Sequence, residues 1–151
     1  MNSMNRKQLV TRLDKLVQTV ARYKGATYKD GWYNTCVTCG ATRPIAKIQG
    51  GHFIPRGCYL TRWDYRNVWP QDERCNGFLA GNYIVYSKWM LDNYPDDYYR
   101  LTELYEKHRK GDGAVKITDI RQQYNEWLKK GRELESKIGE QLFPKTWKED
   151  D

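Results

Sequence analysis

Residues 36–57 read CVTCGATRPIAKIQGGHFIPRG, and this stretch decides how the rest of the chain is organised. Cys36 and Cys39 are separated by Val37 and Thr38 and followed by Gly40, the spacing of a zinc knuckle. A tight turn brings both thiolates onto one tetrahedral ion, and the glycine relieves the turn after the second. A redox pair has the same spacing, but it sits in a βαβ context that this sequence lacks. A tetrahedral site needs two further ligands. Cys75 is the obvious third. Asp72, in Asp72-Glu73-Arg74-Cys75, stands where a second knuckle would carry a cysteine, and a carboxylate binds zinc. Cys58 competes for the fourth place; if Asp72 takes it, Cys58 is a small buried apolar residue. Position favours Asp72.

Between the two knuckle segments lies His52, one of only two histidines in the chain. A lone histidine is more often structural than catalytic, and His108 fits a solvated helix face. His52 differs in being bracketed by metal-type turns, where an imidazole can take up a proton near neutral pH. Asn67 and Asn76 follow it, the second directly after Cys75.

Outward from this centre the pattern becomes helical. Leu9, Val10, Leu13, Leu16, Val17 and Val20 recur at helical spacing, predicting an amphipathic helix over residues 4–23 that ends at Lys24-Gly25. Residues 26–75 are compact and rich in glycine and proline turns. They hold one strand region at 45–48 with 52–54 and another at 67–69. Helices are expected over 76–93, over 96–110 and over 118–138, the last with Thr118 as N-cap. The terminal KTWKEDD is expected to fray. The fold class is thus α+β, mostly helical, with a small ββα-like centre wrapped by amphipathic helices. We expect one domain spanning 1–151: a basic helix at 4–23, a zinc-stabilised core at 26–93 and a helical extension at 94–151.

The chain carries 26 basic and 19 acidic residues, a formal charge of +7, which favours a polyanionic partner through counterion release. The charge is uneven: Arg6, Lys7, Arg12, Lys15, Arg22 and Lys24 face one acid, Asp14, in the first helix. A solvated helix face explains this as well as nucleic-acid contact does. No apolar run is long enough to span a bilayer, and MNSMNRKQLV lacks a signal-peptide core, so the expected compartment is cytoplasmic. There the four cysteines stay reduced and a disulfide framework is not expected.

The order CVTCG, GGHFIPRG, LTRW, NV, QDERCN, then Gly81-Asn82 and Tyr86, resembles the lambda NinG (Rap) recombination family over roughly residues 36–90. That family is similar to phage Holliday-junction endonucleases within the HNH, or His-Me finger, superfamily. The resemblance implies a ββα-metal core and a metal-dependent, structure-selective endonuclease acting on branched recombination DNA in a bacterial host. It implies that His52 is the general base and that Asn76 is a ligand of a catalytic Mg²⁺ or Mn²⁺. Asn67 would hold the His52 loop and orient the imidazole. Zn²⁺ would be structural, on Cys36, Cys39, Asp72 and Cys75. Many sites of the superfamily carry Asp or His just before the base; Gly51 stands there, leaving Asp72, Glu73, Asp64 or water to complete the cation. Arg56, Arg62, Arg66 and Arg74 surround the centre and, with Lys7 and Arg12, are candidate DNA contacts, Arg56 first among them. Trp63, Tyr65 and Trp69 interleave with these arginines and stack either on unpaired bases or in a mini-core. Neutral His52 is the competent form, so activity should fall below roughly pH 6. A homodimer is expected, because junction enzymes cut two strands and the apolar stripes of the terminal helices exceed what a small centre needs. Neither a membrane nor a small-molecule cofactor is expected. The alternatives are a zinc-stabilised DNA-binding module without cleavage and a sequence-preferring HNH nicking or homing enzyme.

Overall fold

The computed structural model describes residues 3–151. Helix α1 (Arg6–Arg22) starts where Asn5 and Gln8 close a reciprocal capping box, each side chain bonding the other's backbone N–H. Its end is held by Asn34, whose Nδ2 donates to the carbonyls of Arg22 and Lys24 at 2.7 and 2.8 Å. Strands β1 (Thr27–Tyr28), β2 (Trp32–Thr35) and β3 (Thr42–Pro44) form a small antiparallel meander. The knuckle forms the β2–β3 turn, and Gly40 there adopts φ +77°, a conformation that strains any residue with a Cβ. A second sheet pairs β4 (Ile48–His52) with β5 (Val68–Asp72), antiparallel, with Gly51 opposite Trp69 and His52 opposite Val68.

After β5 the chain makes one π-helical turn (Arg74–Phe78) and then α2 (Tyr83–Asn93), α3 (Pro95–Arg109) and α4 (Ile117–Ile138). Helix covers 52% of the described residues, so the mixed, mostly helical class holds. The helix expected over 76–93 is interrupted: Ala80 and Asn82 have φ of 49° and 51°, which breaks the ladder before α2 begins. The expected Thr118 cap is also displaced. Helix α4 begins at Ile117 after Lys116, which makes no side-chain cap bond. The strand regions shift as well, to Ile48–His52 and Val68–Asp72, because the glycine pair joins β4 rather than interrupting it.

Two cores result. Leu9, Leu13, Leu16, Val17 and Ala21 of α1 pack on Ile120, Tyr124, Trp127 and Leu128 of α4, with Trp63, Val68 and Phe143. The second gathers Phe53, Ile54, Cys58, Tyr86, Met90 and Leu101 beneath the hairpin. The stripes of the terminal helices are therefore satisfied against each other within one chain, which removes one of the two grounds on which a homodimer was expected. The C-terminal segment is docked rather than frayed: the Asp150 carboxylate accepts from Arg121 Nε at 2.9 Å, and its backbone exchanges two bonds with the Asn125 amide. Arg121 and Asn125 lie one helical turn apart on α4, a receptor that a composition-based reading does not show. No helix is long and apolar enough to cross a membrane among the described residues.

The glycine pair has a packing reason. A Cβ on Gly50 would stand 2.9 Å from the Gln18 carbonyl of α1, and a Cβ on Gly51 would collide with the Gln71 carboxamide. Strand β4 is thus pressed between helix and side chain. Gly51→Ala should destabilise the protein by ~1–3 kcal/mol through overpacking, read as a lower urea midpoint at unchanged m-value. An unchanged midpoint would mean that Gln71 moves aside at no cost.

Candidate functional site

Two sites flank the β4–β5 hairpin and adjoin at the π turn, where Cys75 belongs to one and Asn76 to the other. The first is a cluster in which one donor atom from each of Cys36, Cys39, Asp72 and Cys75 lies within 4.8 Å of the others. Tetrahedral zinc with bonds near ~2.3 Å needs donor separations of ~3.8 Å, so a small contraction would close the set. Backbone bonds shape it: Gly40 N donates to the Cys36 carbonyl at 2.9 Å, and Val37 N ties the knuckle to the Pro70 carbonyl of β5 at 3.0 Å. Asp72 Oδ1 accepts from Cys75 N at 2.9 Å, and Asp72 Oδ2 accepts from Cys39 Sγ at 3.1 Å. Burial, followed by the hydrogen bonds of Asp72, Cys36 and Cys75, pushes the Cys39 thiol up to about 12. Burial also raises Cys75. Asp72 is held below the usual carboxylate range, burial being outweighed by its hydrogen bonds from Cys75 and Cys39. Cys36 moves the other way, burial being outweighed by hydrogen bonds from Thr38 and from the backbone of Asp72 and Cys39; a central cation would convert the remaining thiols to thiolates. The donor set fits a metal of zinc type. Cys58 lies in the second core, away from it.

The second site is a cleft of about 540 Å³ between α1 and the hairpin. Asp14, Lys15, Gln18, Thr19 and Arg22 line it from α1, Gly50 and His52 from β4, Arg56 from the loop, and Asn76 from the π turn. His52 and Asn76 therefore share one hollow. His52 Nε2 is 2.8 Å from the Arg62 carbonyl, and a carbonyl only accepts, so Nε2 carries the hydrogen and Nδ1 keeps its lone pair. Burial pulls the imidazole down to about 4; the Arg62 carbonyl opposes this, and the Arg56 charge adds to it. Asn76 Nδ2 donates to Gln49 Oε1 at 2.7 Å, which leaves its Oδ1 without a protein partner among the described residues.

Asn67 is fully buried and pins the loop that follows His52. Its Oδ1 accepts from Ile54 N at 2.7 Å, while Nδ2 donates to the carbonyls of Ile54 and Thr61, each at 3.0 Å. Its hydrogen bonds go to the loop; the imidazole's goes to the Arg62 carbonyl. Lys24 fastens the same region from α1's end, its Nζ donating to the Val68 carbonyl at 2.9 Å and lying over the rings of Tyr65 and Trp69.

The arginines divide. Arg56 is 58% exposed at the cleft mouth, whereas Arg62 is 12% exposed, and both bond Asp14. Arg66 forks onto Asp64. Arg74 lines a separate hollow with Arg43, Lys47, Asp72 and Glu73. Arg12 is spent internally, bonding the Tyr124 hydroxyl at 3.3 Å and lying 5.0 Å over Trp147, and Lys7 does not line the cleft. The basic side chains that α1 brings to the cleft are Lys15 and Arg22. Of the aromatics, Trp63 is core, with its Nε1 on Asp14, and Trp69 stacks on Tyr94 at 4.8 Å; neither is free to meet a base. Asp72, Glu73 and Asp64, the carboxylates considered for a cleft cation, all lie outside its lining. The acid within it is Asp14, which the sequence marked only as the lone negative charge of the basic helix.

Fold and site together define a small α+β protein with a Cys₃Asp metal-type cluster at one end of a β-hairpin and a basic histidine cleft running along it. The family model described as bacteriophage lambda NinG protein matches residues 3–136, and the chain belongs to that family. Membership makes it a phage-type, recombination-related protein. No curated protein and no solved structure matches it.

Proposed function

We propose that this chain is a DNA endonuclease that hydrolyses phosphodiester bonds in branched recombination intermediates, Holliday junctions and D-loops among them. The observation that carries the reading is the His52 imidazole: one nitrogen tied to a carbonyl, the other free, in a basic cleft shared with Asn76. The β4–β5 hairpin followed by a helical turn that carries Asn76 supports a ββα-metal, His-Me finger centre. Net charge of +7 and family membership support a DNA substrate.

In this reading His52 Nδ1 removes a proton from water as it attacks the phosphorus, and the Arg62 carbonyl stabilises the imidazolium that forms. Arg56, Lys15 and Arg22 hold the phosphate and offset charge growing on its oxygens. Asn76 Oδ1 would hold a Mg²⁺ or Mn²⁺, and the cation would supply charge neutralisation at the leaving oxygen. Zinc on the cysteine cluster is structural in the same proposal. A second reading, a DNA-binding module without cleavage, is favoured by one observation: the cleft's carboxylate, Asp14, is already covered by Arg56, Arg62 and Trp63. Incubating the protein with four-way, D-loop and linear duplexes, with Mg²⁺ or Mn²⁺ varied, separates these readings. Binding with no cut in any combination selects the second, and one preferred linear site selects a nicking enzyme.

The pH dependence follows from burial. The charged groups acting on His52 are Asp14 of α1 with Arg56 and Arg62 of the loop, and Lys15 and Arg22 of α1 line the same cleft. An imidazole lowered to about 4 in the free protein stays neutral, and competent, as pH falls through 6 and 5. The acid limb of kcat/KM should therefore lie near pH 4 rather than near the ~6.5 of a solvated histidine. A limb at the ordinary histidine value would show that the imidazole is solvated and not held as described.

A further inference from the structure

The geometry points to Asp14 of α1 as the positioning residue that fixes the tautomer of the candidate base, acting through Arg62; this rests on the nuclease reading above. The His52 ring is oriented by one bond, from Nε2 to the Arg62 carbonyl. That carbonyl is worth only as much as the rigidity of the loop that carries it, and Asp14 supplies this from both sides. Its Oδ1 accepts from Arg62 Nε at 3.0 Å and from Trp63 Nε1 at 2.9 Å. Its Oδ2 accepts from Arg62 Nη2 at 2.6 Å and from Arg56 Nη2 at 3.1 Å. Arg62 is thus gripped bidentately by one carboxylate, the strongest planar match available to a guanidinium. The peptide between residues 62 and 63 is bounded by two side chains anchored on the same acid. Trp63 is fastened again through its carbonyl, which accepts from Trp127 Nε1 of α4 at 2.8 Å.

The chemical consequence concerns which nitrogen is free. Without a fixed acceptor at Nε2 the neutral ring exchanges between tautomers, and only the Nε2–H form presents a lone pair at Nδ1. Asp14 also shares its Oδ2 between Arg62 and the exposed Arg56, so the group that aims the base is joined to the arginine at the cleft mouth. The acid does not touch the imidazole in any hydrogen bond. Its role is exerted through Arg62.

Asp14→Asn keeps the shape and removes the bidentate acceptor. Nitrogen-15 NMR of the imidazole in the full chain should show a single Nε2–H tautomer in the unsubstituted protein and a mixture in Asp14→Asn. Cleavage of a four-way junction should lose roughly 10–100-fold in kcat with KM not raised, the scale on which groups supporting a reacting histidine act. Asp14→Glu should restore part of both signals. A single Nε2–H tautomer retained in Asp14→Asn together with unchanged kcat overturns the inference. If the unsubstituted protein cuts nothing, the nuclease reading fails, and the tautomer comparison still decides the role of Asp14. If Asp14→Asn does not fold, Arg62→Lys, which breaks the fork but keeps the charge, decides on the same readout: a retained single tautomer overturns the inference.

Discussion

His52→Ala is expected to lower cleavage of a branched duplex by roughly 10²–10⁴-fold while binding to the same duplex is kept, the loss typical of a removed general base. The variant has a side effect that must be separated from the chemistry. The imidazole is the partner of the Arg62 carbonyl, and leaving a buried acceptor unpaired costs ~1–3 kcal/mol. His52→Gln can keep an N–H for that carbonyl but has no basic nitrogen, so it should be as inactive as His52→Ala and closer to the unsubstituted protein in thermal midpoint. Cleavage that survives both substitutions removes His52 from the base role. Cleavage that survives only in His52→Gln would mean that the residue matters for its hydrogen bond and that the base lies elsewhere. The lowered imidazole pKa does not weaken the expectation: a base that is neutral at every working pH trades some proton affinity for full occupancy of its competent form.

How much of this was legible in the sequence depends on the range of the interaction concerned. The Cys36–Cys39 turn, Asp72 and Cys75 could be read from spacing because chelation by a knuckle is a local geometric demand, and Asp72 rather than Cys58 joins the cluster. The amphipathic stripe of α1 was legible because helical period is local too. What faces that stripe was not: its partner α4 lies a hundred residues on in sequence, roughly, and the stripe had suggested a second copy of the chain. The same limit hid the cleft wall. Asp14, Gln18 and Arg22 stand at four-residue spacing on one face of α1, a row that could have been picked out, but nothing local says that the row meets β4. Gly50 and Gly51 were the signal for that meeting. A glycine pair in a strand marks close approach of another backbone or side chain, here Gln18 and Gln71. The break between Asn76 and α2 escaped because the left-handed residues there are Ala80 and Asn82 as well as Gly81, and alanine gives no such warning. Arg12 and Arg74 show the converse: charge is visible in sequence, but whether a cation is spent on Tyr124 and Trp147 or left at a cleft is a tertiary fact.

Loss of the zinc proposed for the cysteine cluster is expected to have a larger effect than any single substitution, and an uneven one. Structural zinc binds with apparent free energies of ~10–16 kcal/mol, comparable to the ~5–15 kcal/mol that holds an ordinary domain together. The cluster joins the β2–β3 knuckle to the end of β5 and to the π turn, pieces otherwise linked by a few single hydrogen bonds such as Val37 N to the Pro70 carbonyl and Cys75 N to Asp72 Oδ1. Gln71 carries the connection further: its Nε2 donates to Thr38 Oγ1 of the knuckle at 3.1 Å, and its side chain presses on Gly51 of β4. The α1–α4 core contains no cluster residue, so its helices should outlast the loss, while Trp63 and Val68, which join it from the pinned segment, loosen at its edge. A strong chelator should therefore release stoichiometric zinc and erase the amide peaks of residues 32–78, including His52 and Asn76, while helical circular dichroism from α1 and α4 largely persists. Cys36→Ser and Cys75→Ser should behave as the chelated protein does. Asp72→Cys should keep the metal, because a thiolate replaces a carboxylate in a site already built of three, and Cys58→Ser should leave metal content unchanged. A chelated protein whose spectrum is unaltered, or a Cys58→Ser variant that loses its metal, would show that the cluster is not what pins the hairpin beneath the cleft.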